Sequence, residues 1–159
     1  MELDNNAAFR HSWQFEEKLT NANFVTLDPN GTIATIANGA GLGMSTVDAV
    51  TAAELIPANF LDIGGGANTA SVLAAFEKIM EYPNIAAIVI NIFAGITRCE
   101  EVAHAILAAK KHIANLPPLY IRLAGTNSQE ALEILRQHDI ATMPTLADCL
   151  TLAKEHINA

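Results

Sequence analysis

Basic residues are scarce in this chain: nine Lys and Arg stand against 17 Asp and Glu, a formal net charge of −8. They are scattered and form no basic stripe, which removes the electrostatic footprint of a nucleic-acid binder. Cysteine is almost absent. Cys99 and Cys149 have no Cys-x-x-Cys arrangement and no His at metal-ligand spacing, so no zinc site is expected and a reduced, cytosolic-type interior is the simplest account. Long apolar runs are missing as well, because Asn91 interrupts the longest candidate before it reaches membrane-spanning length. The opening Met1-Glu2-Leu3-Asp4-Asn5-Asn6 is acidic and polar and has no signal-peptide pattern.

An apolar fraction of 51% over 159 residues is ample for one compact domain with a full core. Strand-like segments run from Phe24 to Leu27, Thr32 to Ala37, Phe60 to Ile63, Ile85 to Ile90 and Leu119 to Leu123. Helical spacing covers Ser45 to Leu55, Thr69 to Glu81, Thr97 to Ala114, Ser128 to Gln137 and Leu146 to Ile157. Asp28-Pro29-Asn30-Gly31 is a turn with a mechanism, since Pro sets φ and Asn-Gly tolerates positive φ. It predicts a short β-hairpin opening the domain. The remainder is a βα repeat and predicts an α/β fold: a mainly parallel, Rossmann-like or flavodoxin-like sheet with helices on both faces. Residues 1–20 stay outside this pattern and read as a linker or the tail of a preceding domain, leaving 21–159 as the domain proper.

In such sheets ligands bind at the C-terminal ends of the strands. Four loops are expected there: Asn38 to Met44, Gly64-Gly65-Gly66 after Asp62, Ala94 to Thr97, and Gly125-Thr126-Asn127. The third is the most informative. A buried strand empties through it onto a helix, whose first backbone N–H groups have no partner within the helix. Those donors and the positive end of the helix dipole can hold phosphate or carboxylate. The plainer alternative is a well-made turn in which Thr97 and Glu100 form a Ser/Thr-x-x-Glu capping box. Both readings stand at this level.

Other chemistry finds little support. Gly39-x-Gly41 with Asp62 imitates a dinucleotide fingerprint, but Met44 occupies the third glycine position. His11, His104, His112, His138 and His156 lie in the linker or in helical stretches and read as surface or interface residues. No Gly-x-Ser-x-Gly, P-loop or His-Glu-x-x-His occurs. Cys99 falls in the first turn of a helix, where the dipole would lower a thiol pKa, yet it lacks a neighbouring base and reads as a packed small residue. The chain offers a surface for an anion and no nucleophile, which is half of a site.

Ile36-Ala37-Asn38-Gly39-Ala40-Gly41-Leu42-Gly43-Met44 resembles a signature of the succinate–CoA ligase β-subunit family. Pro57 to Ala67 resembles a second, Asn91 to Cys99 a third, and Arg122 to Asn127 a looser fourth. The likeness runs from about Leu3 to the C-terminus and falls on the C-terminal, flavodoxin-like ligase domain of that subunit. Leu3 to Arg10 is similar to the last stretch of the family's upstream ATP-grasp domain, after its metal-binding acid, so the chain looks like a piece of a longer polypeptide and Asp4 is not a metal ligand.

The resemblance implies an enzyme that joins a carboxylic acid to CoA while cleaving ATP or GTP with magnesium, a step of the tricarboxylic acid cycle. Phosphate passes from nucleotide to a histidine on the partner α subunit, then to the acid, and the CoA thiol attacks the acyl phosphate. Asn38 matches the asparagine that meets the carboxylate, and Gly95, Ile96 and Thr97 match the turn that shares substrate and phosphate with the α subunit. Gly64, Gly65 and Gly66 are expected to let the α chain approach closely. No catalytic residue, metal ligand or bound cofactor is expected in this chain itself, and the piece alone is expected to be silent. A dicarboxylate substrate, an α-subunit partner, no nucleic acid or membrane, and a cytoplasmic location (mitochondrial matrix in a eukaryote) follow in the same way. Ala94, Thr97 and Ala124 depart from the family's usual residues. A Thr97 hydroxyl near the substrate makes a malate–CoA ligase a close variant, and citrate-cleaving relatives share parts of the architecture. A stand-alone flavodoxin-like binding module is the competing class.

Overall fold

The structure, a computed structural model, describes residues 23–64, 69–95 and 98–159. Strands β1 (Asn23–Thr26), β2 (Ile33–Ala37), β3 (Asn59–Asp62), β4 (Ala87–Ala94) and β5 (Leu119–Gly125) form one sheet in the order β1-β3-β2-β4-β5. Every pairing is parallel except that of β1 with β3. The described helices are α1 (Ala40–Ala52), α2 (Thr69–Ile79), α3 (Cys99–His112), α4 (Ser128–Gln137) and α5 (Leu146–Asn158). None is long and apolar enough to cross a membrane. The mainly parallel α/β sheet covered on both faces is the architecture that the βα alternation predicts.

Strand parity explains the two covers. Ile88, Ile90 and Ile92 of β4 point into a core with Val72 and Phe76 of α2, Val102 and Ile106 of α3, and Leu135 of α4. Ala87 and Val89 point the other way, against Val50 of α1 and Cys149, Leu150 and Ala153 of α5. A strand buried on both sides has no solvent face to alternate with, hence its unbroken apolar reading. β4 also continues through Asn91, Ile92 and Phe93 to Ala94, beyond the expected end at Ile90, so only Gly95 onward is turn. Likewise α1 begins at Ala40, not Ser45, and the expected Asn38–Met44 loop contracts to Asn38 and Gly39. Gly43 sits within that helix because a Cβ there would stand 2.6 Å from the Phe60 ring of β3.

The opening hairpin is not formed. The 28–31 turn exists, with Gly31 N donating to Asp28 O at 2.9 Å and Asn30 N to Asp28 Oδ1 at 2.8 Å. However, Leu27 N and Asp28 N both donate to Ala58 O, and β1 runs antiparallel to β3. Turn chemistry specifies a reversal of direction, not which strand lies alongside. β2 is buried at every position and takes the sheet interior, where β3 and β4 can flank it, while the less buried β1 is left at the edge. Gly31 permits the crossing, since a Cβ would meet the Ala58 backbone at 2.6 Å.

β2 and β3 are joined largely by one buried amide. Thr35 N donates to Asn59 Oδ1 at 2.9 Å, Asn59 Nδ2 donates to Thr35 O at 3.0 Å, and Thr35 Oγ1 donates to Asn59 O at 2.9 Å. Asn59→Ala would leave a peptide N–H and C=O unpaired in the sheet interior and is expected to cost about 2–5 kcal/mol. Urea unfolding would register this as a lower midpoint with an unchanged slope.

Candidate functional site

β2 and β4 are neighbours, yet α1 leaves β2 toward one face and α3 leaves β4 toward the other. This is the topological switch point, where a doubly wound sheet opens a crevice beyond its strand ends. Asn38 stands at that point. Its Nδ2 donates to Phe93 O at 2.7 Å and its Oδ1 accepts from Phe93 N at 2.8 Å, so the side chain imitates a peptide and pins the two strands one step past the Ala37–Asn91 pair. An amide nitrogen carries two donors, and Phe93 takes one of them.

Asp62, at the end of β3, accepts from Gly39 N at 2.6 Å and Gly64 N at 2.8 Å and is only 7% exposed. It is a clamp between the first and second loops, which disposes of its dinucleotide reading as a ribose-binding acid. α1 starts from Gly39 at φ 91° without a side-chain cap and without an acid in its first turn. Gly39 and Gly41 are exposed, and nothing lies within 4 Å of where a Cβ would sit. Gly64 lies beside this clamp; Gly65 and Gly66 fall outside the described residues.

The third and fourth loops are stitched together. Thr126 N donates to Ala94 O at 2.9 Å, Thr126 Oγ1 to Gly95 O at 3.2 Å, and Cys99 N to Thr126 O at 3.2 Å. Gly125 is obligatory, with φ at 96° and Ala94 O only 2.2 Å from any Cβ. Gly95 is exposed; Ile96 and Thr97 lie outside the described residues, and with them half of the expected capping box. Its other half, Glu100, is engaged elsewhere: Oε1 receives Arg98 Nε at 2.8 Å and Asn127 Nδ2 at 2.9 Å. Glu100 Oε2 is buried without a partner among the described residues. The expected row of free amides at this junction is therefore shortened, because Cys99 N is taken and Glu100 and Glu101 bring negative charge to the first turn of α3.

A polar row runs beneath the crevice on the α1–α5 side. Thr46 Oγ1 donates to Leu42 O at 2.6 Å, the buried Asn91 Nδ2 donates to Thr46 Oγ1 at 3.0 Å, and Arg122 Nη1 donates to Asn91 Oδ1 at 3.3 Å. The Arg122 guanidinium also lies 5.7 Å from the centroid of the exposed Phe93 ring. Sequence reasoning met Arg122 only as a letter in the fourth motif. A usable signal was present, since Asn91 and Arg122 are polar residues at paired positions of otherwise apolar strands.

No nucleophile accompanies these groups among the described residues. Cys99 is buried, its Sγ donates to Ala124 O at 3.4 Å, and desolvation pushes its thiol pKa up, against the dipole effect considered from sequence. Burial raises Cys149 further, to about 11. His104, His112, His138 and His156 are exposed on helices or just after one. No group of three His, Cys, Asp or Glu side chains is placed to hold a metal among the described residues.

Against known proteins, the sequence profile described as CoA-ligase matches residues 36–155. The chain belongs to the CoA-ligase family. It is 42% identical over 159 aligned residues to the ADP-forming succinate–CoA ligase β subunit of Herpetosiphon aurantiacus, covering 92% of this chain and 42% of that protein. The corresponding subunit of Wolinella succinogenes is 43% identical over 151 residues, covering 87% of this chain and 38% of the relative. This chain thus spans about two fifths of the length of the relatives it matches. In fold it is similar to the ATP citrate lyase of Methanothrix soehngenii, solved with citrate and coenzyme A, at a TM-score of 0.76 and 17% identity over 89% of this chain and 42% of that one. The segment from Gly125 to Asn127 is the buttress of the third loop.

Burial works to raise the Glu100 carboxyl, but hydrogen bonds from its own backbone N–H and from Asn127, with the charges of Arg98 and His104, hold it below the ordinary carboxylate value. A carboxyl depressed on folding adds stability above its unfolded pKa and loses it as pH falls through the folded one. Glu100→Gln is therefore expected to lower stability at neutral pH and to flatten the acid limb of the stability–pH curve, measured by thermal melts between neutral pH and the carboxylate range.

Proposed function

We propose that this chain is the ligase domain of a two-subunit acid–CoA ligase of the succinate type, working with an α subunit that carries the phosphorylated histidine. The observation that carries the reading is the rim at the switch point. Asn38, Asp62 and Thr126 tie four strand-end loops into one structure, and those loops hold the residues that match the family's signatures. The relatives' name as β subunits of succinate–CoA ligases supports the same assignment.

In this reading Asn38 offers its second amide N–H to the substrate carboxylate while Phe93 fixes its orientation. Gly95, Ile96 and Thr97 supply backbone N–H groups to the phosphoryl group, and the glycines at 64–66 admit the α chain. Electrostatic preorganisation of this kind suits a step in which charge moves between oxygens. Nucleotide and magnesium, in this reading, belong to an ATP-grasp segment of the β subunit. CoA supplies the thiol that attacks the activated acid. The chain by itself is, in this reading, catalytically silent, and the assembled enzyme acts in a cytoplasmic or matrix compartment.

Tagging the chain in its native organism and purifying it under mild conditions tests the proposal. An α-type subunit should accompany it, and the complex should form a thioester only when acid, CoA and nucleoside triphosphate are all present. A chain that purifies alone and binds a small ligand without turnover would mark a stand-alone binding module instead.

Thr97 favours a second reading, malate–CoA ligase, because its hydroxyl can hydrogen-bond a hydroxylated acid. Thr97→Val in the assembled enzyme is then expected to lower kcat/KM for malate relative to succinate roughly 10- to 100-fold, the cost of leaving a substrate hydroxyl unpaired. An unchanged ratio would exclude the malate reading.

A further inference from the structure

Arg122 is the cation of the rim that the fold leaves without an acid. Among the described residues the other cation there, Arg98, is paired with Glu100, whereas Arg122 is within ion-pair distance of no carboxylate. Its one hydrogen bond among the described residues goes to a neutral amide oxygen, Asn91 Oδ1. Leaving a half-buried guanidinium so lightly paired is costly in a chain with an excess of acids, unless another anion completes it.

The side chain is also held still. Asn91 is 2% exposed and anchored through Thr46 to the Leu42 carbonyl of α1, and the guanidinium lies over the Phe93 ring. Phe93 links it to the substrate position: the backbone of that residue is gripped by Asn38, and its ring lies beside Arg122. Two groups suited to carboxylates thus converge on one residue at the switch point. A guanidinium presents a planar fork of donors that fits a carboxylate in two-point fashion and keeps its charge at every working pH.

We propose that Arg122 binds the carboxylate of the acid substrate that does not react, and so sets the preference for dicarboxylates over monocarboxylates. The inference rests on the acid–CoA ligase reading given above. The carboxylate that becomes activated loses its charge during the reaction and is served by backbone donors and Asn38. The distal carboxylate stays charged throughout and needs a permanent cation, which Arg122 supplies.

Arg122→Met and Arg122→Lys in the assembled two-subunit enzyme test this. With Met, the ratio of kcat/KM for succinate to that for butyrate is expected to fall roughly 10- to 100-fold, with KM for CoA and nucleotide nearly unchanged, and Lys should restore part of the ratio. A residue that only braces Asn91 would instead depress both acids alike, and that result, or an unaltered ratio, overturns the proposal. Should the assembled wild-type enzyme show no ligase activity, the parent reading fails by itself. The Arg122 Nε–H resonance of this chain then decides, because a saturable shift with succinate but not with succinamide upholds carboxylate binding and no difference between them refutes it.

Discussion

The pair of hydrogen bonds between the Asn38 side chain and the Phe93 backbone sits where the two halves of the fold part company. Before it, β2 and β4 are held by an ordinary parallel ladder; after it, their helices depart to opposite faces. Without a substitute for the next rung, the strand ends would be free to splay, and the loops that follow would lose a common origin. An asparagine is suited to the task because its amide has the donor and acceptor of a peptide group on a short stem. Aspartate would keep the acceptor and lose the donor, and leucine would lose both. The geometry of the crevice therefore follows from one side chain that the local sequence pattern presents as a mere loop residue.

Charge is arranged around this point with some economy. Under the proposed reading a chain of net charge −8 binds substrates that are themselves anionic, and long-range attraction cannot help it. Local fields must do so. α1 begins with glycine and alanine and no acid of its own, and the Asp62 carboxylate of β3 meets its N-cap at Gly39 N. α3 is the opposite case, with Glu100 and Glu101 in its first turn, although Arg98 and Asn127 restrain the first of them. From the sequence, an anion site and a self-capped turn both stand open at the start of α3. The described geometry braces the start of that helix against the fourth loop, with Cys99 N taken by Thr126 O.

Elements whose residues have one physical reason were legible. α4 spans Ser128 to Gln137 and α5 begins at Leu146, as periodicity predicts, and Thr145 accepts from Asp148 N in an ordinary cap. Elements whose extent depends on a partner were not. Ala40 to Met44 looks like loop because it holds two glycines, but Gly43 answers to the Phe60 ring across the interface. Asn91 looks like a strand terminator because it is polar, but it is a buried rung satisfied by Thr46 and Arg122. Asp28 to Gly31 does reverse the chain, while the neighbour of β1 was decided by which strand could tolerate a fully buried position. In the site, the glycine clusters gave away the edge; Asp62 and Thr126 were missed as fasteners because their partners are backbone groups far away in sequence.

The fastening pattern suits the proposed sharing of an active centre with a second polypeptide. Asn38, Asp62 and Thr126 direct side-chain groups at backbone, which leaves peptide units as the main donors of the described rim. Peptide donors can orient and stabilise a transferring group, but they cannot accept a proton or form a covalent intermediate. A rim locked in this way holds position at little entropic cost when a second polypeptide arrives, since the ordering is already done in the free chain. Rigidity on one side allows the reactive side chain to be carried by the other and to move. Under the proposed reading, geometry and reactivity are then divided between two polypeptides.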